Sequence, residues 1–141
     1  MFDAIQNVAG GFATVLLGIA TGAAWIATIV GPNCSYDRLD ASRADGHVRK
    51  LLVDASTPIS GVLLAGGAFA VLGGSFGAAI LSILAAFGFF SNRWTLASRK
   101  RGTTPPGVRR KRKSERVVAI GLSLMFTAVT AVAAMLAIFG I

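Results

Sequence analysis

Every one of the 14 Lys and Arg residues lies in one of two stretches, 34–57 and 91–116. The segments 10–31, 58–90 and 117–141 carry no charged residue. A helix crosses a hydrocarbon core of about 30 Å with about 20 apolar residues, and an ionised side chain at that depth costs on the order of 3 kcal/mol or more. This partition of charge is what a bilayer enforces, so the chain reads as an all-α integral membrane protein. The 54% hydrophobic content, well above that of an ordinary soluble domain, agrees. In a soluble chain a net charge of +8 would suggest nucleic acid. Here it is better explained by the enrichment of Lys and Arg in cytoplasmic loops.

Residues 1–9 hold Asp3 and no basic residue. A secretory signal peptide begins with a positive region, so the first apolar segment is expected to be retained. Gly10 to Gly31 gives about 33 Å of helix, enough for one crossing, which Pro32 and Asn33 are expected to end. Val117 to Ile141 spans a bilayer with some tilt. The uncharged run 58–90 would be about 50 Å long as one helix. Gly73-Gly74-Ser75 at its centre supplies a turn, and Thr57-Pro58 reads as an N-cap with proline at the first helical position. A re-entrant hairpin is the alternative, but it exposes turn backbone to hydrocarbon.

The expected organisation is a single membrane domain, 1–141, with four transmembrane helices, the second and third forming a hairpin. The spans are about 10–31, 55–73, 75–96 and 117–140. A cytoplasmic loop, 34–57, carries a short amphipathic interfacial helix before the second span. A basic cytoplasmic loop covers 97–116. Four crossings put all 14 basic residues on one face and both termini on the other. The positive-inside rule then places both loops in the cytoplasm and both termini outside, in a bacterial cytoplasmic (inner) membrane.

Small residues recur every fourth position. Thr14-Gly18-Gly22 lines a face of the first helix, Gly66-Ala70-Gly74 a face of the second, Gly73-Gly77 the turn, and Ala119-Ser123-Thr127-Ala131 the fourth. Such faces let helix backbones approach closely in lipid. Gly18, Gly22, Gly66, Ala70, Gly74, Gly77, Ser123 and Thr127 are therefore the candidate helix-packing residues, either within one bundle or against another subunit.

The first loop balances Asp37, Asp40, Asp45 and Asp54 against Arg38, Arg43, Arg49 and Lys50. Ser42 and Asp45 have capping-box spacing, and Val48, Leu51, Leu52 and Ala55 recur at helical spacing, so 43–55 reads as an amphipathic helix lying at the membrane surface or leading into the second crossing. An enzyme reading would collect Cys34, Asp37, Asp40, Asp45 and His47 as ligands or acid/base groups for cytoplasmic-face chemistry. His47 is the sole histidine and Cys34 the sole cysteine, which excludes a histidine-rich metal or haem site and an intrachain disulfide. Asp37-Arg-Leu-Asp40 does not complete the CDP-alcohol phosphotransferase motif, since the glycine after the second Asp and two later aspartates are missing. A solvated interfacial loop is the plainer account.

The second loop holds Arg99-Lys100-Arg101, then Gly102-Thr-Thr-Pro-Pro-Gly107, then Arg109-Arg110-Lys111-Arg112-Lys113 and Arg116. Pro-Pro and the flanking glycines argue against a continuous helix there. These basic residues can act as a topology determinant, bind anionic lipid headgroups, or meet an acidic partner. No aromatic residue interleaves them as a single-stranded nucleic-acid platform requires, so nucleic acid is disfavoured.

Ion-coupled carriers and voltage sensors need ionisable residues at membrane depth, and none is present. Small multidrug transporters carry a membrane-embedded Glu that this chain lacks. No cofactor is expected. The function expected from sequence is a non-enzymatic accessory, scaffold or assembly subunit of a larger membrane complex, or a homo-oligomer, with its basic loop on lipid or protein. A small channel, holin-like pore or uncoupled transporter is the alternative.

Overall fold

The computed structural model describes the backbone of residues 2–95 and 106–141, and their side chains except at 41, 42, 92, 95 and 106–116. The described residues form five α-helices and no strand. They are α1 (Phe2–Trp25), α2 (Gly31–Arg38), α3 (Ala41–Leu72), α4 (Phe76–Thr95) and α5 (Pro106–Phe139), with a π-helical turn, Ile26–Val30, between α1 and α2. Three helical stretches, Phe2–Arg38, Arg43–Leu72 and Val117–Phe139, are long and apolar enough to cross a membrane. The apolar part of α4, Phe76–Ser91, is shorter, about 24 Å. The described residues are thus all-helical, with three helices of spanning length and a fourth, shorter apolar helix, an arrangement compatible with an integral membrane protein.

Four sequence expectations fail for identifiable reasons. Pro32 does not end the first helix, because the chain widens into a π-turn just before it and Gly31 N–H reaches back to the Ile26 carbonyl. A π-turn shifts the hydrogen-bond ladder by one residue, which accommodates the missing proline N–H without a break. Thr57-Pro58 does not start a helix either, since Pro58 lies inside the 32-residue α3. Of the two expectations for 43–55, a helix on the membrane surface or one leading into the second crossing, the second is met, since the stretch is the first half of α3. The supposed loop 34–57 contains only Leu39 and Asp40 outside helix. Finally, Pro106 begins α5, so the basic run 109–113 is helical and continuous with the last span. Proline suits a first helical turn because its missing N–H would lack a partner there anyway.

The helices pack antiparallel in sequence order. Between α1 and α3 a Cβ added at Gly73 would lie 2.9 Å from the Gly10 nitrogen, and one at Gly66 2.9 Å from Leu17 Cδ2. Leu51 presses on Gly31 further along. Residues 10, 17 and 31 thus lie level with 73, 66 and 51, a nearly constant sum. Ser60 Oγ donates to the Ala86 carbonyl (3.0 Å) and Gly67 faces Ser82, fixing α3 against α4. The Phe126 ring sits over Gly88, joining α4 to α5. Thr28 and Thr127 hydroxyls meet at 3.4 Å between the π-turn and α5.

The core is dominated by alanine. Ala13, Ala20, Ala24, Ala70, Ala78, Ala85 and Ala133 are essentially inaccessible, with Leu17, Leu63 and Phe89 as the larger fillers. Small side chains allow the close helix contacts that stabilise bundles in lipid, where apolar burial between helices contributes little. A second, smaller cluster forms at the charged end, where Val48 and Leu52 of α3 meet Ala119 of α5. Both charged stretches therefore converge on one end of the bundle. At the opposite end the Gly73–Ser75 turn lies beside Gly10, and Ala78 N–H donates to the Ile141 carbonyl (3.3 Å).

Candidate interaction surfaces

Glycine positions separate into two groups once the bundle is assembled. At Gly31, Gly66, Gly67, Gly73, Gly77 and Gly88 an added Cβ would meet another helix or chain segment within 3.4 Å. At Gly10, Gly11, Gly18, Gly22, Gly61 and Gly121 it would meet nothing within 4 Å beyond its own helix. The first group holds this bundle together; of the second only Gly10 takes part, through its backbone against Gly73.

The expected packing residues divide the same way. Gly66 seats Leu17, Ala70 is fully buried, and Gly77 faces Leu136 and Ile141. Ser123 and Thr127 are buried on α5, donating to the Ala119 and Ser123 carbonyls at 2.8 Å. Thr127 also meets Thr28, so the small-residue face of the fourth apolar segment does pack within the chain. Gly74 does not pack: it lies beyond the end of α3 with φ +84°, a left-handed turn conformation in which glycine avoids the Cβ penalty. Gly18 and Gly22 face away from the core altogether.

The inward face of α1 is instead Ala9, Ala13, Leu17, Ala20 and Ala24, continued by Ala27 and Thr28 of the π-turn. At 100° per residue, Gly22 lies almost diametrically opposite the centre of that face, with Gly11 and Gly18 within about 40° of it. Exposed Val15, Ile19 and Trp25 flank this glycine strip. Beside it runs a shallow apolar cleft of ≈ 160 Å³ between α1 and α3, lined by Ile19, Ala20, Ala23, Ala55, Pro58, Ile59 and Val62.

The charged end is built on the α2–α3 corner. Asp40 precedes α3 as N-cap without a side-chain cap bond, and Asp45 accepts from the Tyr36 hydroxyl at 2.8 Å. Asp45 thus ties α2 to α3. Arg93 Nη1 reaches Thr57 Oγ1 at 3.4 Å, and exposed Trp94 stacks edge-on with Phe90. His47 and Cys34 are exposed on α3 and α2, and no group of three metal-ligating side chains occurs among the described residues. Arg99, Lys100 and Arg101 lie outside the described residues. Arg109, Arg110, Lys111, Arg112, Lys113 and Arg116 occupy helical backbone positions in α5.

Sequence reasoning missed Gly67, Gly73 with Gly10, and Gly88 with Phe126 as packing pairs. A glycine opposite a bulky side chain on an antiparallel neighbour is the available signal, but it needs the helix register to be read. No protein-family model, curated protein or solved structure matches the chain.

Proposed function

We propose that this is a non-enzymatic four-crossing membrane protein serving as an accessory, scaffold or assembly subunit of a larger membrane complex. It would bed against its partner through the outer face of α1. The observation that supports this is the glycine strip Gly11-Gly18-Gly22, set opposite the core where no contact among the described residues calls for glycine. Each helical glycine costs about 1 kcal/mol of helix propensity relative to alanine. A second helix approaching closely, through van der Waals and backbone C–H···O contacts, gives that cost a physical use.

In this reading α4 completes a fourth crossing despite its short apolar stretch, with Arg93 snorkelling and Trp94 in the interfacial belt. The charged end faces the cytoplasm of a bacterial cell and the terminal end faces outward, following the positive-inside rule. The basic segment contacts anionic lipid or the partner there.

The test is to extract the protein from its native membrane in mild detergent and determine the mass and composition of what travels with it. A stoichiometric larger assembly is expected. A lone monomer, together with solute flux above that of empty vesicles on reconstitution, would replace this reading with that of a pore.

A further inference from the structure

We infer that the first three turns of α5, 106–116, form a docking surface for the anionic phospholipid headgroups of the bilayer in which the bundle sits. This deepens the basic-end reading above without depending on the partner subunit.

Placement comes first. α5 runs unbroken from Pro106 to Phe139, and its apolar span begins at Val117. Arg109 to Lys113 therefore lie four to eight residues before that span, about 6–12 Å along the axis. That is the depth of the headgroup layer and the first layer of solvent beyond it, within a Debye length of the surface at physiological salt. A flexible loop would not hold its charges there; a helical continuation of the span does.

The root of this extension is also held. Ala119 packs with Val48 and Leu52 of α3, with Val53 and Ile120 against the same cluster. The same half of α3 is locked to α2 by Leu51 on Gly31 and by the Tyr36–Asp45 hydrogen bond. Aromatic residues of the interfacial type occur at this end: Tyr36 is exposed on α2, and Trp94 on α4 is 77% exposed beside Arg93.

Charge distribution selects lipid over protein. Arg109-Arg110-Lys111-Arg112-Lys113 occupies five consecutive helical positions, which step round the axis at 100° and leave no neutral side. A specific protein groove reads one stripe of a helix, whereas a fluid sheet of headgroups can gather round all of it. Among the described residues eleven basic ones share this end with five of the chain's six acidic ones, so carboxylates of the chain cannot neutralise them.

The full chain, carrying Trp25→Phe so that Trp94 alone reports, is reconstituted in equimolar phosphatidylcholine and phosphatidylglycerol. Each lipid is supplied in turn in brominated, quenching form. At low salt, brominated phosphatidylglycerol is expected to compete for the sites around Trp94 at least about threefold better than brominated phosphatidylcholine. The preference should fall to near unity when residues 109–113 are all changed to Gln. Should that variant fail to fold, the unaltered basic run in 1 M salt, where the Debye length is about 3 Å, must lose the preference as well. Equal quenching by the two lipids at low salt overturns the inference and leaves the basic run to a protein partner. A preference that survives both the Gln changes and 1 M salt overturns it too. Because the chain is alone in its vesicle, either result is independent of whether a partner complex exists.

Discussion

Replacing Gly73 and Gly22 by alanine one at a time separates glycines that hold this bundle from glycines that do not. Gly73 has φ −79° and ψ −4°, a conformation open to alanine, so only space opposes the change. A Cβ there would lie 2.9 Å from the Gly10 nitrogen and 3.0 Å from its Cα. Both are backbone atoms that no rotamer change can move, so restoring an optimal separation of about 3.5–4.0 Å pushes the start of α1 outward by more than half an ångström. A gap of that size forfeits a quarter to a half of the dispersion energy of the contacts it opens, among them the Phe12–Phe69 stack at 5.5 Å. Overpacking of this kind costs about 1–3 kcal/mol. Gly22→Ala meets no obstacle and gains up to about 1 kcal/mol of helix propensity. The two variants should therefore differ by about 3 kcal/mol, or roughly two decades in the folding equilibrium. Steric trapping of the isolated protein in bicelles measures this directly. Equal stabilities, or Gly22→Ala the less stable, would refute the assignment of inward and outward faces.

Further changes probe other parts of the account. Gly74→Ala places a side chain at φ +84° and should lower stability by about 1–2 kcal/mol in the same assay, with helix content by circular dichroism unchanged. Ser60→Ala removes the hydroxyl that bridges to the Ala86 carbonyl of α4 and should cost only about 0.6 kcal/mol, the average for such bonds in membrane bundles; a loss of several kcal/mol would mean the α3–α4 pair depends on more than packing. Gly22→Leu should leave the thermal stability of the isolated protein within a few degrees of the parent yet abolish co-extraction with a partner complex, checked by mass of the detergent-solubilised species. Cys34, exposed at the charged end, should resist an impermeant thiol reagent in intact cells and react after permeabilisation; labelling in intact cells would invert the proposed topology.

The segregation of charge along the chain carries the membrane class and the apolar segments, because the bilayer acts on side-chain chemistry alone. Prolines were harder to read. Pro32 and Pro58 both carry the local signal of a helix boundary, yet each is absorbed, Pro32 by a π-turn before it and Pro58 inside a continuous α3. Whether a proline breaks a helix depends on what its neighbours do with the freed carbonyl, and tertiary packing decides that. Facing was illegible for a similar reason. Gly18-Gly22 and Gly66-Ala70 have the same four-residue spacing, but only the latter points at another helix of this chain. The spacing marks a face that permits close approach, and only the assembled bundle shows which such faces are already used. Pro-Pro-Gly before the basic run carries the local signal of a loop, whereas Pro106 serves as the first residue of α5.

The proposal that a partner covers the outer face of α1 is tested most directly by site-specific photocrosslinking in the native membrane. A photoreactive phenylalanine in place of Trp25, an exposed aromatic that flanks the glycine strip without filling it, should give a single protein adduct of defined mass. The same group at Ile80, an exposed position on the outer face of α4, should give none. Protein adducts of equal yield at both positions, or none at position 25, would contradict the account.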